Sequence, residues 1–162
     1  LCKGGCSVKV VPYNTTASAV LYDRPDGVVL SGGPGDPKEN TYQIEQVKAL
    51  LGKVPVFGIG LGHQLAALAT GASTYKLPYG HRGGNQPVRD LKGIRTYITS
   101  QNHGYAVDGE TVKEGEVRFV NLNDKTCEGV DYPALKAFTV QFDPDTAGDK
   151  DSAFLVYKSL AL

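Results

Sequence analysis

The sequence predicts an α/β domain with an open, mainly parallel β-sheet, helices on both faces of the sheet and an antiparallel extension. Two observations support this fold class. In the first half of the 162-residue chain, short apolar segments alternate with segments whose apolar residues recur at helical spacing. Such alternation is typical of parallel strands joined by right-handed helical crossovers. In the second half, short strand-like segments follow one another, which favours antiparallel pairing.

The first predicted elements are a β-branched strand at residues 7–11 and an apolar strand at residues 27–31. A helix is expected after them, because Asp36 can cap it, Pro37 suits the first helical position and Glu39 can complete a capping box. The apolar positions of this helix are Ile44, Val47, Leu50 and Leu51.

That helix is expected to end at Gly52, and residues 54–59 are predicted to form the next buried strand. The strand leads into a helix over residues 61–70, which Gly71 ends. The remaining predicted elements are strands at residues 73–76, 96–100, 117–123 and 137–142, and a last helix at residues 152–160. We expect residues 1–162 to form a single domain, since this length is sufficient for one hydrophobic core.

Charge and hydropathy argue against several classes of function. Seventeen basic and seventeen acidic residues cancel, so the sequence predicts no electrostatic attraction to nucleic acid or to an anionic membrane. No apolar run has the length of a membrane span, and no signal peptide is recognisable. We therefore expect a cytoplasmic protein.

The three cysteines are Cys2, Cys6 and Cys127, an odd number without the spacing of zinc ligands. This pattern favours reduced structural thiols over a disulfide or a metal site. Cys127 is expected in a polar connection between two strands, and none of the three lies at a turn between a strand and a helix. The sequence thus predicts no metal site and no cofactor.

Residues 55–65 form the most informative segment, Pro-Val-Phe-Gly-Ile-Gly-Leu-Gly-His-Gln-Leu. An apolar strand here enters a helix through a sharp turn, an arrangement that delivers one side chain to the mouth of a sheet beside the free N–H groups of the helix. The residue at the tip of this turn is Gly60, which has no side chain to act as a nucleophile.

This segment resembles the nucleophile elbow of the class I glutamine amidotransferases, Gly-Ile-Cys-Leu-Gly-His-Gln, at every position except Gly60, where the family has cysteine. Residues 30–37, Leu-Ser-Gly-Gly-Pro-Gly-Asp-Pro, resemble the oxyanion loop of the same family. Residues 74–88 and 98–108 are similar to the carbamoyl-phosphate synthetase small-chain type in particular. The resemblance extends from about residue 6 to residue 160.

The resemblance implies a flavodoxin-like fold, a glutamine ligand and a carbamoyl-phosphate synthetase large chain as partner. The family's small chains hydrolyse glutamine and supply ammonia for carbamoyl phosphate, in pyrimidine and arginine biosynthesis. The positions that match the family's glutamine-binding and oxyanion groups are Gly33, Gly35, Leu61, Gln64, Asn102, Gly104 and Tyr105. By the same resemblance, His63 is expected to be a packed supporting residue, and His81 and His103 are expected in loops at the pocket rim.

All three positions of the family's Cys-His-Glu triad are altered. Gly60 replaces the cysteine, Asp143 the histidine and Asp145 the glutamate. A thiolate needs a neighbouring base or cation to form near neutral pH, and an aspartate beside a glycine has nothing to activate. The aspartates are expected in a solvated acidic loop. The sequence therefore predicts a domain of this family without glutaminase activity.

The given sequence also begins later than the family pattern, which usually has a strand and a helix before the stretch that residues 5–6 resemble. We expect that the chain is a fragment, that further residues precede it, or that another chain supplies the strand. Three functions remain open at this stage. The first is a silent domain that acts as a structural or regulatory partner of a synthetase, the second an active glutaminase subunit with another nucleophile, and the third a non-catalytic glutamine sensor.

Overall fold

The computed structural model describes residues 1–2, 5–93 and 95–144. The α-helices in these ranges are α1 (Ala17–Tyr22), α2 (Thr41–Leu50) and α3 (Leu61–Ala69). The strands are β1 (Val28–Leu30), β2 (Val56–Ile59), β3 (Thr74–Asp90), β4 (Thr96–Val107), β5 (Glu116–Asn121), β6 (Cys127–Tyr132) and β7 (Ala137–Val140). In this described part, no helix is both long enough and apolar enough to cross a membrane.

One sheet contains all seven strands, in the order β1-β2-β7-β6-β4-β3-β5. Only the pairs β1–β2 and β2–β7 are parallel, and the other five pairs are antiparallel. Because β5 pairs with β6 as well as with β3, the strands β3, β4, β5 and β6 close into a small barrel. The prediction of an open, flavodoxin-like, mainly parallel sheet is therefore wrong for the described strands, whereas the α/β class and the antiparallel extension are confirmed.

The two faces of the parallel strands are covered differently. On one face α3 contacts β1, β2 and β7, α2 packs against α3, and α1 contacts α2. Val56 belongs to the core on this side, together with Leu50 and Ala67. The next residue of β2, Phe57, points to the opposite face, because successive strand residues alternate. There it packs in a cluster with Phe138 and Phe119.

Because Phe119 in this second cluster lies on β5, the barrel covers the face of the sheet that Phe57 occupies. Within the described ranges, the helices thus pack on one side of the sheet, not on both sides as predicted. The last predicted helix, residues 152–160, lies outside the described residues.

The predicted elements around the parallel strands are largely confirmed. The strands predicted at residues 27–31 and 54–59 correspond to β1 and β2, and the helix predicted at residues 61–70 corresponds to α3. Asp36 does accept a capping hydrogen bond, but from the Lys38 N–H, and it caps a short 3-10 turn (Pro37–Glu39) that precedes α2.

Two predictions about local structure are wrong, and one helix was not predicted. Residues 7–11 form no strand, and their β-branched side chains, such as that of Val10, are exposed, so strand propensity alone did not produce pairing. Helix α1 was not predicted, although Thr16 caps it by accepting a hydrogen bond from the Ala19 N–H. Cys127 is not in a polar connection but is the buried first residue of β6.

Candidate functional site

Gly60 forms the sharp turn between β2 and α3, with φ 56° and ψ −110°. Its N–H donates a hydrogen bond to the Val140 carbonyl at 2.9 Å, which ties the turn to the end of the neighbouring strand β7. A Cβ added to Gly60 would lie 3.5 Å from Gly32 Cα and 3.9 Å from the Gln141 carbonyl oxygen, both ordinary van der Waals distances. The turn therefore has the strained geometry of an elbow and room for a side chain, but this chain places none there.

The glycine-rich loop after β1 lies against this turn, as the sequence predicted. A Cβ added to Gly33 would come within 2.8 Å of Leu61 Cδ2, so the loop contacts the first residue of α3, whose side chain would have to move for a larger residue. Gly35 has φ +94°, a backbone conformation that side chains disfavour. Both glycines are exposed.

Gln64, on the first turns of α3, links three parts of the site. Its buried side-chain amide donates hydrogen bonds to the Tyr105 carbonyl on β4 and to Gln141 Oε1 after β7, each at 2.8 Å. The Tyr105 phenol lies near the glycine-rich loop, because desolvation and then the nearby charge of Asp36 raise its pKa above the ordinary value. Helix α3, strand β4 and the loop after β1 thus meet at one place.

The predicted site residues are therefore brought together to different degrees. Gly33, Leu61, Gln64 and Tyr105 form a connected set, and Gly35 and Gly104 lie within two residues of it. Asn102 lies on β4 opposite Arg82 and is exposed.

Asp143 follows β7, as Gly60 follows the neighbouring parallel strand β2. Its side chain is exposed, and its backbone N–H donates to the Ser100 carbonyl on β4 at 3.0 Å. The positions that match the family's nucleophile and histidine thus follow the carboxyl ends of adjacent parallel strands, where open sheets bind ligands. Asp145 lies outside the described residues.

None of the three cysteines lies on the turn at Gly60. Cys2 is exposed and Cys6 half-buried, both before α1 in the sequence, whereas Cys127 is buried on β6. Burial raises the pKa of the Cys127 thiol to about 12, which leaves it protonated and unreactive at neutral pH.

His63 is a packed supporting residue, as expected. The Thr139 hydroxyl donates to the Val130 carbonyl at 3.2 Å, so it accepts a hydrogen bond from His63 Nδ1–H at 2.8 Å. Complete burial, with a smaller effect of His103, lowers the pKa of His63 to about 3. The imidazole is therefore neutral.

The expectation that His81 and His103 lie in loops at the pocket rim is wrong, because both lie on strands that line the barrel. His81 is buried, and its Nδ1 lies 3.2 Å from Glu128 Oε1 on β6 while its Nε2–H donates to Asp124 at 2.7 Å. The hydrogen bond to Glu128, then that to Asp124, raises the pKa of His81 to about 9 against the opposing effect of burial. Burial lowers the pKa of the neighbouring His103 to about 4.

Sequence reasoning missed the cluster of His81, Gln101, His103 and Glu128 because His81 is 20 positions from Gln101 and 47 from Glu128. The available signal was the alternation on β4, where Gln101 and His103 share one face of the strand. That alternation does not indicate which residues of β3 and β6 lie opposite.

Comparison with known proteins agrees with the motifs. A model of the family "Glutamine amidotransferase class-I" matches residues 1–161. The chain is 52% identical over 154 residues to the carbamoyl phosphate synthase small chain of Fusobacterium nucleatum, with 93% of this chain and 43% of the relative covered. It is 55% identical over 153 residues to that of Bacillus cereus, with 93% and 42% covered. The chain therefore spans less than half the length of these relatives.

Solved structures show the same fold. The crystal structure of a protein named as a GMP synthase subunit from Thermoplasma acidophilum has a TM-score of 0.79 at 21% identity, covering 94% of this chain and 79% of that one. A glutamine amidotransferase from Thermotoga maritima has a TM-score of 0.64 at 23% identity, covering 84% and 64%. The motifs, the family match and the fold together lead to one conclusion: the chain belongs to the class I glutamine amidotransferase family.

Proposed function

We propose that this chain is a glutamine amidotransferase domain of the carbamoyl-phosphate synthetase small-chain type whose glutaminase site is silent. Its role is then structural or regulatory, in complex with a synthetase large chain that uses free ammonia, in the cytoplasm. The observation that carries the proposal is Gly60, a residue without a side chain at the tip of the elbow between β2 and α3.

The chemical argument concerns the nucleophile and its activation. Amide hydrolysis by this family needs a thiolate that attacks the glutamine carboxamide and a base that takes the thiol proton and returns one to the leaving ammonia. Gly60 offers no sulfur, and the exposed Asp143 carboxylate would repel a thiolate rather than stabilise one. The retained oxyanion donors near Gly33 cannot by themselves form a covalent intermediate.

The large-chain partner is supported by the relatives, which are named as small chains of carbamoyl phosphate synthase. We propose the same pairing for this domain. Under this proposal the domain contributes contacts rather than ammonia.

A glutamine sensor is the second candidate function. It is favoured by the hydrogen bonds of Gln64 to the Tyr105 carbonyl and to Gln141 Oε1, which hold the predicted glutamine pocket together without any contribution from the side chain of residue 60. An active glutaminase remains the third candidate, and it requires a nucleophile other than a residue at the elbow.

The deciding experiment measures glutamate release from glutamine with and without a carbamoyl-phosphate synthetase large chain. Three proteins are compared. They are the native chain, a triple variant with Gly60→Cys, Asp143→His and Asp145→Glu, and a matched double variant with only Asp143→His and Asp145→Glu. We expect turnover only in the triple variant, and turnover by the native chain would refute the proposal. Calorimetric titration with glutamine separates the two silent roles, since the absence of binding would exclude the sensor.

A further inference from the structure

A cluster of four side chains inside the barrel has the composition of a metal site: His81 on β3, Gln101 and His103 on β4, and Glu128 on β6. One ligand atom from each of His81, His103 and Glu128 lies within 4.8 Å of the others. We propose that this barrel cluster binds a divalent transition-metal ion, zinc above all, which ties the three strands together.

Both imidazoles are oriented by hydrogen bonds on their outer side. His103 Nδ1–H donates to the Tyr105 carbonyl at 2.8 Å, so its Nε2 presents a lone pair to the cluster. His81 Nε2–H donates to the Asp124 carboxylate at 2.7 Å, so its Nδ1 faces the same point. Histidine ligands of metals are typically held in this way, with the outer N–H on a carboxylate or a backbone carbonyl.

The amide of Gln101 is oriented as well. Its Nε2–H donates to Thr99 Oγ1 at 3.1 Å, and the Thr99 hydroxyl in turn donates to the Gln86 carbonyl at 2.9 Å. In this orientation of the amide, Gln101 Oε1 faces the cluster, where it lies 2.8 Å from His103 Nε2 and 3.0 Å from His81 Nδ1.

This arrangement places two electron-pair donors, Gln101 Oε1 and His103 Nε2, 2.8 Å apart with no proton assigned between them. A proton on His81 Nδ1 would satisfy the contacts of His81 but would leave Gln101 Oε1 and His103 Nε2 facing each other without a proton. A second proton on His103 would create two imidazolium rings whose centroids are 4.8 Å apart. A shared metal cation satisfies all the inward-facing atoms at once.

Glu128 supplies the negative charge that such a site needs. The residue is completely buried, and its Oε2 atom has no hydrogen-bond partner among the described residues. Leaving a buried carboxylate oxygen unpaired is costly, and metal coordination is one of the few ways to compensate for it.

The ligand set and its spacing suit zinc. Two histidines and one glutamate are a known zinc ligand set, and bond lengths of about 2.0–2.2 Å in a tetrahedron separate the ligand atoms by about 3.4 Å. Three of the separations, 2.8 to 3.2 Å, are slightly shorter than this, and the atoms of His81, His103 and Glu128 lie within 4.8 Å of one another, so small side-chain shifts would bring all four to bonding distance. Because Gln101 Oε1 fills the fourth position in a buried site, the ion would be structural rather than catalytic.

The test loads chelator-treated full-length chain with Zn²⁺ and measures bound metal by atomic emission and affinity by competition with a chromophoric chelator. We expect about one Zn²⁺ per chain and a higher melting temperature with the metal. The variant Asp124→Asn, on a half-exposed orienting residue that leaves the barrel interior intact, is expected to weaken binding by about 10–100-fold. His103→Gln is expected to weaken it at least as much.

The matched control is the double variant Cys2→Ser and Cys6→Ser, which removes the accessible thiols and should bind Zn²⁺ as the native chain does. The proposal is overturned if the native chain binds no Zn²⁺, if Asp124→Asn and His103→Gln bind it unchanged, or if binding is lost in the cysteine control. Circular dichroism of every variant ensures that a loss of binding is scored only for folded protein.

Discussion

Restoring a side chain at Gly60 should destabilise the domain, and the structure permits an estimate of the magnitude. The φ of 56° combined with ψ of −110° lies outside the left-handed helical region that other residues can adopt. An added Cβ meets no atom closer than 3.5 Å, so steric overlap contributes little and backbone strain dominates. Such strain costs about 1–3 kcal/mol for a residue with a side chain.

Part of this cost is offset, because replacing glycine reduces the conformational entropy of the unfolded chain, which contributes about 0.4–1 kcal/mol. The centres of the two ranges give a net expected loss of about 1.3 kcal/mol for Gly60→Ala or Gly60→Cys. For a chain of this size each kcal/mol lowers the melting temperature by about 2–4 °C, so we expect a decrease of about 3–5 °C.

The assay is thermal unfolding followed by circular dichroism, with Gly84→Ala as matched control. Gly84 lies on β3, its φ is outside the left-handed region, and an added Cβ meets no atom within 4 Å. Melting temperatures for the Gly60 variants that equal or exceed that of Gly84→Ala would refute the strained geometry of the elbow.

Two further predictions concern buried polar groups. Burial lowers the pKa of His63 to about 3, so below about pH 6.5 the unfolded chain binds a proton that the folded chain does not. The free energy of unfolding should therefore fall by up to about 1.4 kcal/mol per pH unit as the pH decreases toward 3. His63→Asn should show a shallower pH dependence in urea unfolding, and an equal slope would contradict the prediction. Arg118 donates two hydrogen bonds, at 2.6 and 2.9 Å, to the carboxylate of the buried Asp90. Arg118→Lys should therefore lower the free energy of unfolding by about 1–3 kcal/mol. The control Lys9→Gln, at an exposed ion pair, should change it by less than about 1 kcal/mol. Equal losses of stability in the two variants would show that burial of Asp90 does not matter.

The local features of the site could be predicted from the sequence because their determinants are contiguous. The turn at Gly60 follows from an apolar strand that enters a helix within a few residues, and the loop at Gly33 from a run of glycines and proline. The length of β3 could not be predicted, because the strand contains Pro78 and several glycines that normally interrupt strands. It persists because register shifts absorb these residues while β4 pairs along most of it.

The barrel could not be predicted from the sequence for the same reason as the polar cluster inside it, because both depend on residues that are far apart in the chain. Closure depends on β5 pairing with both β3 and β6, and nothing within β5 itself indicates two partners. The cluster of His81 and Glu128 exists only after that closure, since the two residues are 47 positions apart. Local propensity predicts elements, but only the pairing of distant strands determines which polar side chains share an interior.

The structure also explains how an elbow can persist without a nucleophile. The turn is fixed by backbone interactions, the Gly60 N–H on the Val140 carbonyl and the Gln64 N–H on the Gly60 carbonyl, and neither needs a side chain at position 60. Gln64 and Tyr105 are likewise held by their own hydrogen bonds. Because glycine adopts the required φ without strain, Gly60 itself stabilises the turn. The framework of the site is thus physically compatible with the silent domain that we propose.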